Sequence, residues 1–337
     1  MPIVDERSGL PELPEEAQKI VDVMNSGATL GASRNIRQIN DVFLKTAKYW
    51  AGSDAQVLIQ AIQKTAEYYI NNRGKNTPAI GNAINKVLIG LEDLDTDQVD
   101  KVVEFLDQRC QLYNEKSIEN VTAISNMGAN LLEGAETILA YDYSSSQMGV
   151  LRELGIRGLK KEILIPESRD LDGGRPIVRE SISVGHHVKF VIDMATSYFM
   201  RDVDAVIIGA ETIFANGGCW NTIGSFNMAI LADYYKVPVY VPTELIKIDP
   251  RSFLGIEKEI KFDDYSEILE YPGSFESPEM ISVIAPALDL VPPSLITAFI
   301  TEKGVINPAQ LWSHAIAFLD EIHVDPFSNE EGGSLNE

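Results

Sequence analysis

The chain of 337 residues carries 28 lysines and arginines against 50 aspartates and glutamates, a formal net charge of -22, and is 45% hydrophobic. Its length and apolar share can build one large or two ordinary domains with a sizeable core. So acidic a surface repels phosphate backbones and anionic lipid, so neither nucleic acid nor membrane is an expected partner, although a small anionic ligand in a local pocket stays compatible with it.

The opening residues, MPIVDERSGLPELPEEAQ, lack the basic-then-apolar layout of a signal peptide, and no run of about 18 apolar residues is present to span a bilayer. Cys110 and Cys219 fit no metal spacing and no disulfide framework. They read as reduced thiols of a cytoplasmic protein. Residues 15–133 show apolar positions at spacings of three and four, as in VLIQAIQKTAEYYI (57–70) and IGNAINKVLIGL (80–91), which predicts helices. Turn and capping chemistry at NSG, AGSD, NNRGKNTP and DLDTDQ divides them.

From about residue 134 short apolar runs alternate with helical segments. The runs are ETILAYDY (136–143), KEILIPES (161–168), HVKFVIDM (187–194), VDAVIIGAE (203–211), VPVYVPTE (237–244) and ISVIAPAL (281–288). Helices are predicted at SSQMGVLRELG (145–155) and MAILADYYK (228–236). This alternation predicts an α/β fold: a helical N-terminal domain (1–133), then a Rossmann-like ligand-binding domain (134–325) with a mostly parallel sheet. Residues 326–337 are expected to form a flexible tail. Ligands of such sheets bind at the carboxyl ends of strands, and Glu211 stands there, above a turn rich in glycine and asparagine. No GxGxxG follows the first strand, so a dinucleotide site is not indicated.

The segment VDAVIIGAETIFANGGCWNTIGS (203–225) closely resembles the motif VDxVIVGADxIxANGxVxNKIGT of a known family. That family joins the alpha, beta and delta subunits of translation initiation factor two-B to two isomerases, of methylthioribose 1-phosphate and of ribose 1,5-bisphosphate. IPESRDLDGGR (165–175) resembles its ESRPxxQGR segment, and APALDLVPPSLITAFITEKGVI (285–306) its NPAFDVTPxELITxxITExGxI. With TELIKIDPRSFLG (243–255), the details lean towards the ribose-bisphosphate branch. The likeness is weaker at LGAS (30–33) and NTPAIGNAI (76–84), set beside the family's RGA and TRP. The chain also departs from the pattern. Asp142 stands where the isomerases carry a catalytic cysteine, Glu211 where they carry an aspartate, Thr222 where they carry a lysine, and Thr77 where they carry an arginine.

The resemblance implies an aldose–ketose isomerase acting on a phosphorylated sugar, or else a regulatory subunit that binds a sugar phosphate or nucleotide without turnover. Isomerisation needs ring opening and proton transfer between adjacent carbons, for which two carboxyl groups of tuned affinity suffice. Asp142 and Glu211 are therefore the expected acid/base pair, with mutual repulsion expected to raise one pKa. No metal and no organic cofactor is expected. Arg169 is expected on phosphate, with Glu167 orienting it or binding a hydroxyl. Ser144 and Ser145 read as phosphate ligands or helix caps. Gly31, Ala32 and Arg34 are further phosphate candidates. Asn221 is expected on sugar hydroxyls, Asp193 in the crevice and Lys247 as an anion contact. The plainer alternatives are solvated loop acids, a loop ion pair between Glu167 and Arg169, and turn chemistry for Asn216 and Gly217. His186 and His187 read as surface or satisfied histidines, and Cys219 as structural. A homodimer at minimum, with a hexamer as the larger form, is expected through apolar residues of PPSLITAFITEKGVI and SYFM.

Overall fold

Residues 9–26, 31–169, 172–256, 260, 262–264 and 280–328 are described by the computed structural model of the chain. Among the described residues five α-helices precede the first strand: α1 (Glu15–Asn25), α2 (Ala32–Lys48), α3 (Ala55–Tyr69), which runs on into a π-turn (Ile70–Gly74), α4 (Pro78–Leu88) and α5 (Val99–Leu131). The breaks between them follow sequence chemistry. Asp54 caps α3 by accepting from the amides of Gln56 and Val57 at 2.8 and 3.2 Å. Pro78 opens α4, where a missing N–H costs nothing. Contacts divide the chain into two units, one of residues 1–118, 246–250 and 316–337, the other of 119–245 and 251–315.

In the first unit Ile39, Phe43, Leu58, Ile62, Tyr69 and Ile84 are fully buried. Asn82 donates to the carbonyls of Ile246 and Ile248 at 2.9 and 2.8 Å, which ties the 246–250 segment to α4. Burial pushes the Cys110 thiol up to about 12, so it is an inert core residue. Gly31 lies just before α2 and Ala32 and Arg34 in its first turn; Lys247 lies in the 246–250 segment.

The second unit is built on a seven-stranded sheet. Its strands are β1 (Thr137–Tyr141), β2 (Glu162–Pro166), β3 (His187–Val191), β4 (Ala205–Ile208), β7 (Val239–Pro242), β11 (Ala298–Thr301) and β12 (Gly304–Ile306), in the order β12-β11-β7-β4-β1-β2-β3. Every pairing is parallel except β11 with β12. Leu139 of β1 is flanked by Leu164 of β2 and Val206 of β4. The central strands are apolar throughout because both faces are covered. Ile138, Ala140, Ile163, Ile165 and Ile207 form one core with Met148, Leu151 and Leu154 of α6 (Ser145–Ile156) and Ile177 of α7 (Gly174–Ser183). A short helix, α8 (Thr196–Phe199), follows β3; α9 (Ser225–Tyr235) lies against β4, and α10 (Leu311–Glu321) closes the described chain.

The run 281–288 does not join the parallel sheet as expected. Part of it forms β9 (Ile284–Pro286), antiparallel to β8 (Phe262–Asp264), and its end starts β10 (Leu288–Val291). That strand pairs antiparallel with β6 (Cys219–Thr222), itself hairpinned to β5 (Thr212–Ile213). The place in the main sheet is taken by β11. Consequently Ala298, Phe299, Ile300 and Ile306, read from sequence as interface residues, are buried within the chain's own sheet; Ile296 and Met200 of SYFM are buried in turns, while Tyr198 is exposed. Buried His186 donates from Nε2 to the Leu151 carbonyl (2.8 Å) and accepts at Nδ1 from the Lys161 amide (3.1 Å), so it is satisfied. The tail is described only to Ser328; its remainder lies outside the described residues. Among the described residues no helix is long and apolar enough to cross a membrane.

Candidate functional site

The chain leaves β1 through Asp142, a non-glycine residue with φ 56°. This left-handed conformation is uncommon and marks a position held by its surroundings. Only 7% of Asp142 is exposed. Its Oδ2 accepts from the Thr222 hydroxyl at 2.6 Å and its Oδ1 from the Ser168 hydroxyl at 3.1 Å. Burial raises its pKa, opposed by those two hydroxyls and by the Tyr143 amide. The expected repulsion from Glu211 is not among the influences on it, so the upward shift has a different cause: the strand end is dry.

Ser168 sits in the loop after β2 with φ 48°. Asp193, just beyond β3, receives the amides of Ser168 and Arg169 at 2.9 and 3.1 Å. It is therefore the strap of this loop. Arg169 is exposed, and no ion pair or hydrogen bond of its guanidinium occurs among the described residues. Glu167 is half-buried and forms no pair with it. Arg169 and Asp193 line a cavity of about 450 Å³ with Tyr141, Ser197 and Asn227, and with Met228 and Leu231 of α9. The Tyr141 hydroxyl donates to the Ile223 carbonyl at 2.6 Å, and burial followed by the Asp193 charge pushes its pKa well above the usual tyrosine range.

Glu211 follows Gly209-Ala210 at the end of β4, the central strand. Its amide donates to the Trp220 carbonyl at 2.8 Å, which starts the β5–β6 hairpin, and its half-buried carboxylate accepts from the Thr212 hydroxyl. At the hairpin's tip Asn216 accepts from the Gly218 amide at 2.9 Å and Gly217 has φ 88°, the turn role foreseen for both. A Cβ added to Gly209 would lie 2.8 Å from the Ser144 Cβ and 3.2 Å from the Asn221 Oδ1. The ends of β1, β4 and β6 thus converge where the β4 chain carries no side chain. Asn221 is buried and donates to the Ser225 hydroxyl at 2.9 Å.

Ser144 occupies the N-cap position of α6, yet its hydroxyl makes no cap bond and is buried without a partner. Ser145, the first helical residue, is exposed. Asp142, Ser144, Asn221 and Glu211 therefore gather around one set of strand ends, and Arg169 and Asp193 line the neighbouring cavity. Gly31, Ala32, Arg34 and Lys247 belong to the other unit. Sequence reasoning assigned nothing to Ser168, Thr222, Tyr141 or Asp289. Asp289 accepts from the amides of Gly224 and Phe226 at 2.6 and 3.2 Å and is raised by burial. Of the four, Ser168 and Asp289 carried a signal as matches within the quoted family-like segments and Thr222 as a departure from the motif, while Tyr141 carried none.

The profile of the Initiation factor 2 subunit family matches residues 29–308. The ribose 1,5-bisphosphate isomerase of Pyrococcus furiosus is 33% identical over 198 residues, 58% of this chain and 60% of that protein. The alignment thus spans less than two thirds of that relative. Translation initiation factor eIF2B subunit alpha of Dictyostelium discoideum is 31% identical over 223 residues, 64% of this chain and 73% of that protein. Among solved structures, 5-methylthioribose 1-phosphate isomerase from Pyrococcus horikoshii OT3 superimposes with a TM-score of 0.70 at 22% identity, covering 91% of this chain and 88% of that one. With the profile covering most of its length, the chain belongs to the Initiation factor 2 subunit family.

Proposed function

We propose that this protein is an aldose–ketose isomerase of a phosphorylated sugar, similar in reaction to ribose 1,5-bisphosphate isomerase. The observation that carries the reading is Asp142: a buried carboxylate at a strand end, supplied with donors by two hydroxyl side chains and one backbone amide. In a sugar 1-phosphate the anomeric oxygen carries the phosphate, so one carboxyl group protonates the ring oxygen as its bond to C1 breaks while the other removes the proton from C2, giving an open-chain enol phosphate. That intermediate then takes a proton at C1 and loses the C2 hydroxyl proton, so the ketose keeps its phosphate on C1. No net oxidation occurs, and the atoms balance. Asp142 and Glu211 take these two roles, Asn221 and Ser144 meet sugar hydroxyls or phosphate, and Arg169 binds phosphate. A panel of sugar 1-phosphates assayed for ketose formation tests the reading; no turnover on any of them sinks it.

For the Arg169 role, Arg169→Gln is expected to raise KM roughly ten- to a hundredfold with little change in kcat, because a charged hydrogen bond to phosphate is lost. Arg169→Lys should recover part of that loss, since it restores charge without the fork. An unchanged KM in Arg169→Gln removes the residue from the site.

The second reading is a regulatory subunit that binds a sugar phosphate or nucleotide without turnover. It is favoured by Asp142 and Thr222 at the family's cysteine and lysine positions and by the likeness to subunit alpha. Ligand-induced thermal shifts with no ketose formed would select it.

Assembly belongs to the same proposal. Phe190, Ile192, Met194 and Tyr198 near the edge strand β3, with Ile230 and Tyr234 of α9, are exposed apolar residues, and a second copy is their proposed cover. Light scattering at micromolar concentration should give at least twice the chain mass of 37.2 kDa. A monomer mass sinks the dimer, and six copies would match the larger assembly the resemblance implies.

A further inference from the structure

Two of the chain's departures from its family's motifs, Asp142 and Thr222, touch each other. They are 80 residues apart in sequence and 2.6 Å apart between Oδ2 and Oγ1. One leaves the parallel sheet after β1, and the other ends β6 of the antiparallel sheet. Both are buried, at 7% and 6% exposure.

A carboxylate has roughly four acceptor positions. Here three donors meet it: Thr222, Ser168 and the Tyr143 amide. That leaves about one position for an incoming proton. The three donors differ in what holds them. The amide belongs to the backbone, and Ser168 belongs to a loop strapped by Asp193. Thr222 is on a paired strand, opposite Leu288, and its β-branch stiffens χ1. Its contact is also shorter than that of Ser168. The titratable side chains on the surrounding elements are Tyr141, Tyr143, Glu167, Arg169, Asp172, Asp193, Glu211 and Asp289. Of these, Tyr141 is coupled to Asp142, whose charge helps raise the tyrosine, and Asp172 is paired with Arg175 at 3.0 Å.

We propose that Thr222 is the positioning residue of Asp142: its hydroxyl fixes the carboxylate plane and, with Ser168, keeps the group in the ionised form that takes the proton from the sugar. The assignment rests on the isomerase reading for the last step only. It makes Asp142 the base and leaves Glu211 as the acid.

The test is a carbon-13 NMR titration of the full chain labelled at aspartate carboxyls, with the Asp142 signal assigned by its absence in Asp142→Asn. In Thr222→Val, which keeps the shape and removes the donor, the midpoint is expected to rise by about one to two pH units. Thr222→Ser should return it to within a few tenths of a unit. Thr222→Cys, a weaker donor of similar size, must move it in the same direction as valine and covers the case of a valine variant that fails to fold. Ser168→Ala should move it less than Thr222→Val. An unmoved midpoint in the valine or cysteine variant overturns the proposal, as does a serine variant that stays shifted. The titration needs no substrate, so its failure is distinguishable from failure of the isomerase reading, which the sugar panel decides.

Discussion

Asp142→Asn is expected to lower turnover of the sugar phosphate by roughly a hundred- to ten-thousandfold, the usual worth of a positioned proton-transfer group. The fold should survive, because asparagine keeps the shape and the Thr222 and Ser168 hydroxyls can rotate to donate or accept. Stability should move the other way. Burial raises the Asp142 pKa in the folded chain. A carboxyl with a raised folded pKa binds more protons folded than unfolded, so stability falls as pH climbs from the unfolded value of about 3.9 through the folded one. Above that window the wild type carries the full penalty of a buried charge, and the asparagine variant carries none. Thermal melts of both proteins should therefore show the variant gaining relative to wild type between pH 4 and pH 7. Full activity in the variant would remove Asp142 from the chemistry, and a relative gain that shrinks with pH would contradict the burial account.

Gly224→Ala should be the most destabilising single methyl in the site region. Gly224 has φ 99°, and a Cβ there would run into the Tyr141 hydroxyl oxygen and lie 2.7 Å from its Cζ. Its amide also donates to Asp289 at 2.6 Å, just before α9. Left-handed strain and overpacking together cost about 2–4 kcal/mol. That corresponds to a fall in Tm of roughly 5–15 °C for a unit of this size. Adding Tyr141→Phe deletes the oxygen struck first, so the double variant should be less destabilised than the sum of the two singles. Differential scanning calorimetry of the four proteins checks both statements. Strict additivity would show that the contact with Tyr141 is not the source of the loss.

The legible part of the fold was the part written in continuous apolar runs. Ile138 to Tyr141, Ile163 to Ile165 and Ala205 to Ile208 are buried on both faces, and such strands announce themselves without periodicity. The segment from 281 to 306 was misread because an apolar run fixes neither partner nor direction. Leu288–Val291 and Ala298–Thr301 look alike as sequence, yet one pairs with a hairpin and the other joins the parallel sheet. Of the candidate site, only the placement of its acids at strand ends was legible in the same way. Asp142 and Glu211 could be placed from their positions after strands. Their hydroxyl partners could not: Thr222 reaches Asp142 across 80 residues and Ser168 across 26, and a buried hydroxyl leaves no trace in a hydrophobic pattern. Asp193 was visible as a crevice residue, but its commitment to two amides depends on loop geometry alone.

The two bonds from Asp193 have a consequence for regulation. They fasten the backbone of Ser168 and Arg169 to the end of the outermost strand, β3. The same stretch displays Phe190, Ile192 and Met194 to solvent. A second copy resting on those side chains, as proposed, would also steady the loop that carries Arg169, which lines the cavity. On the proposed dimer and the proposed phosphate role of Arg169, subunit association and anion affinity would share one free energy, and thermodynamic reciprocity would run it in both directions. A phosphorylated ligand would tighten the assembly, and dilution would loosen the ligand.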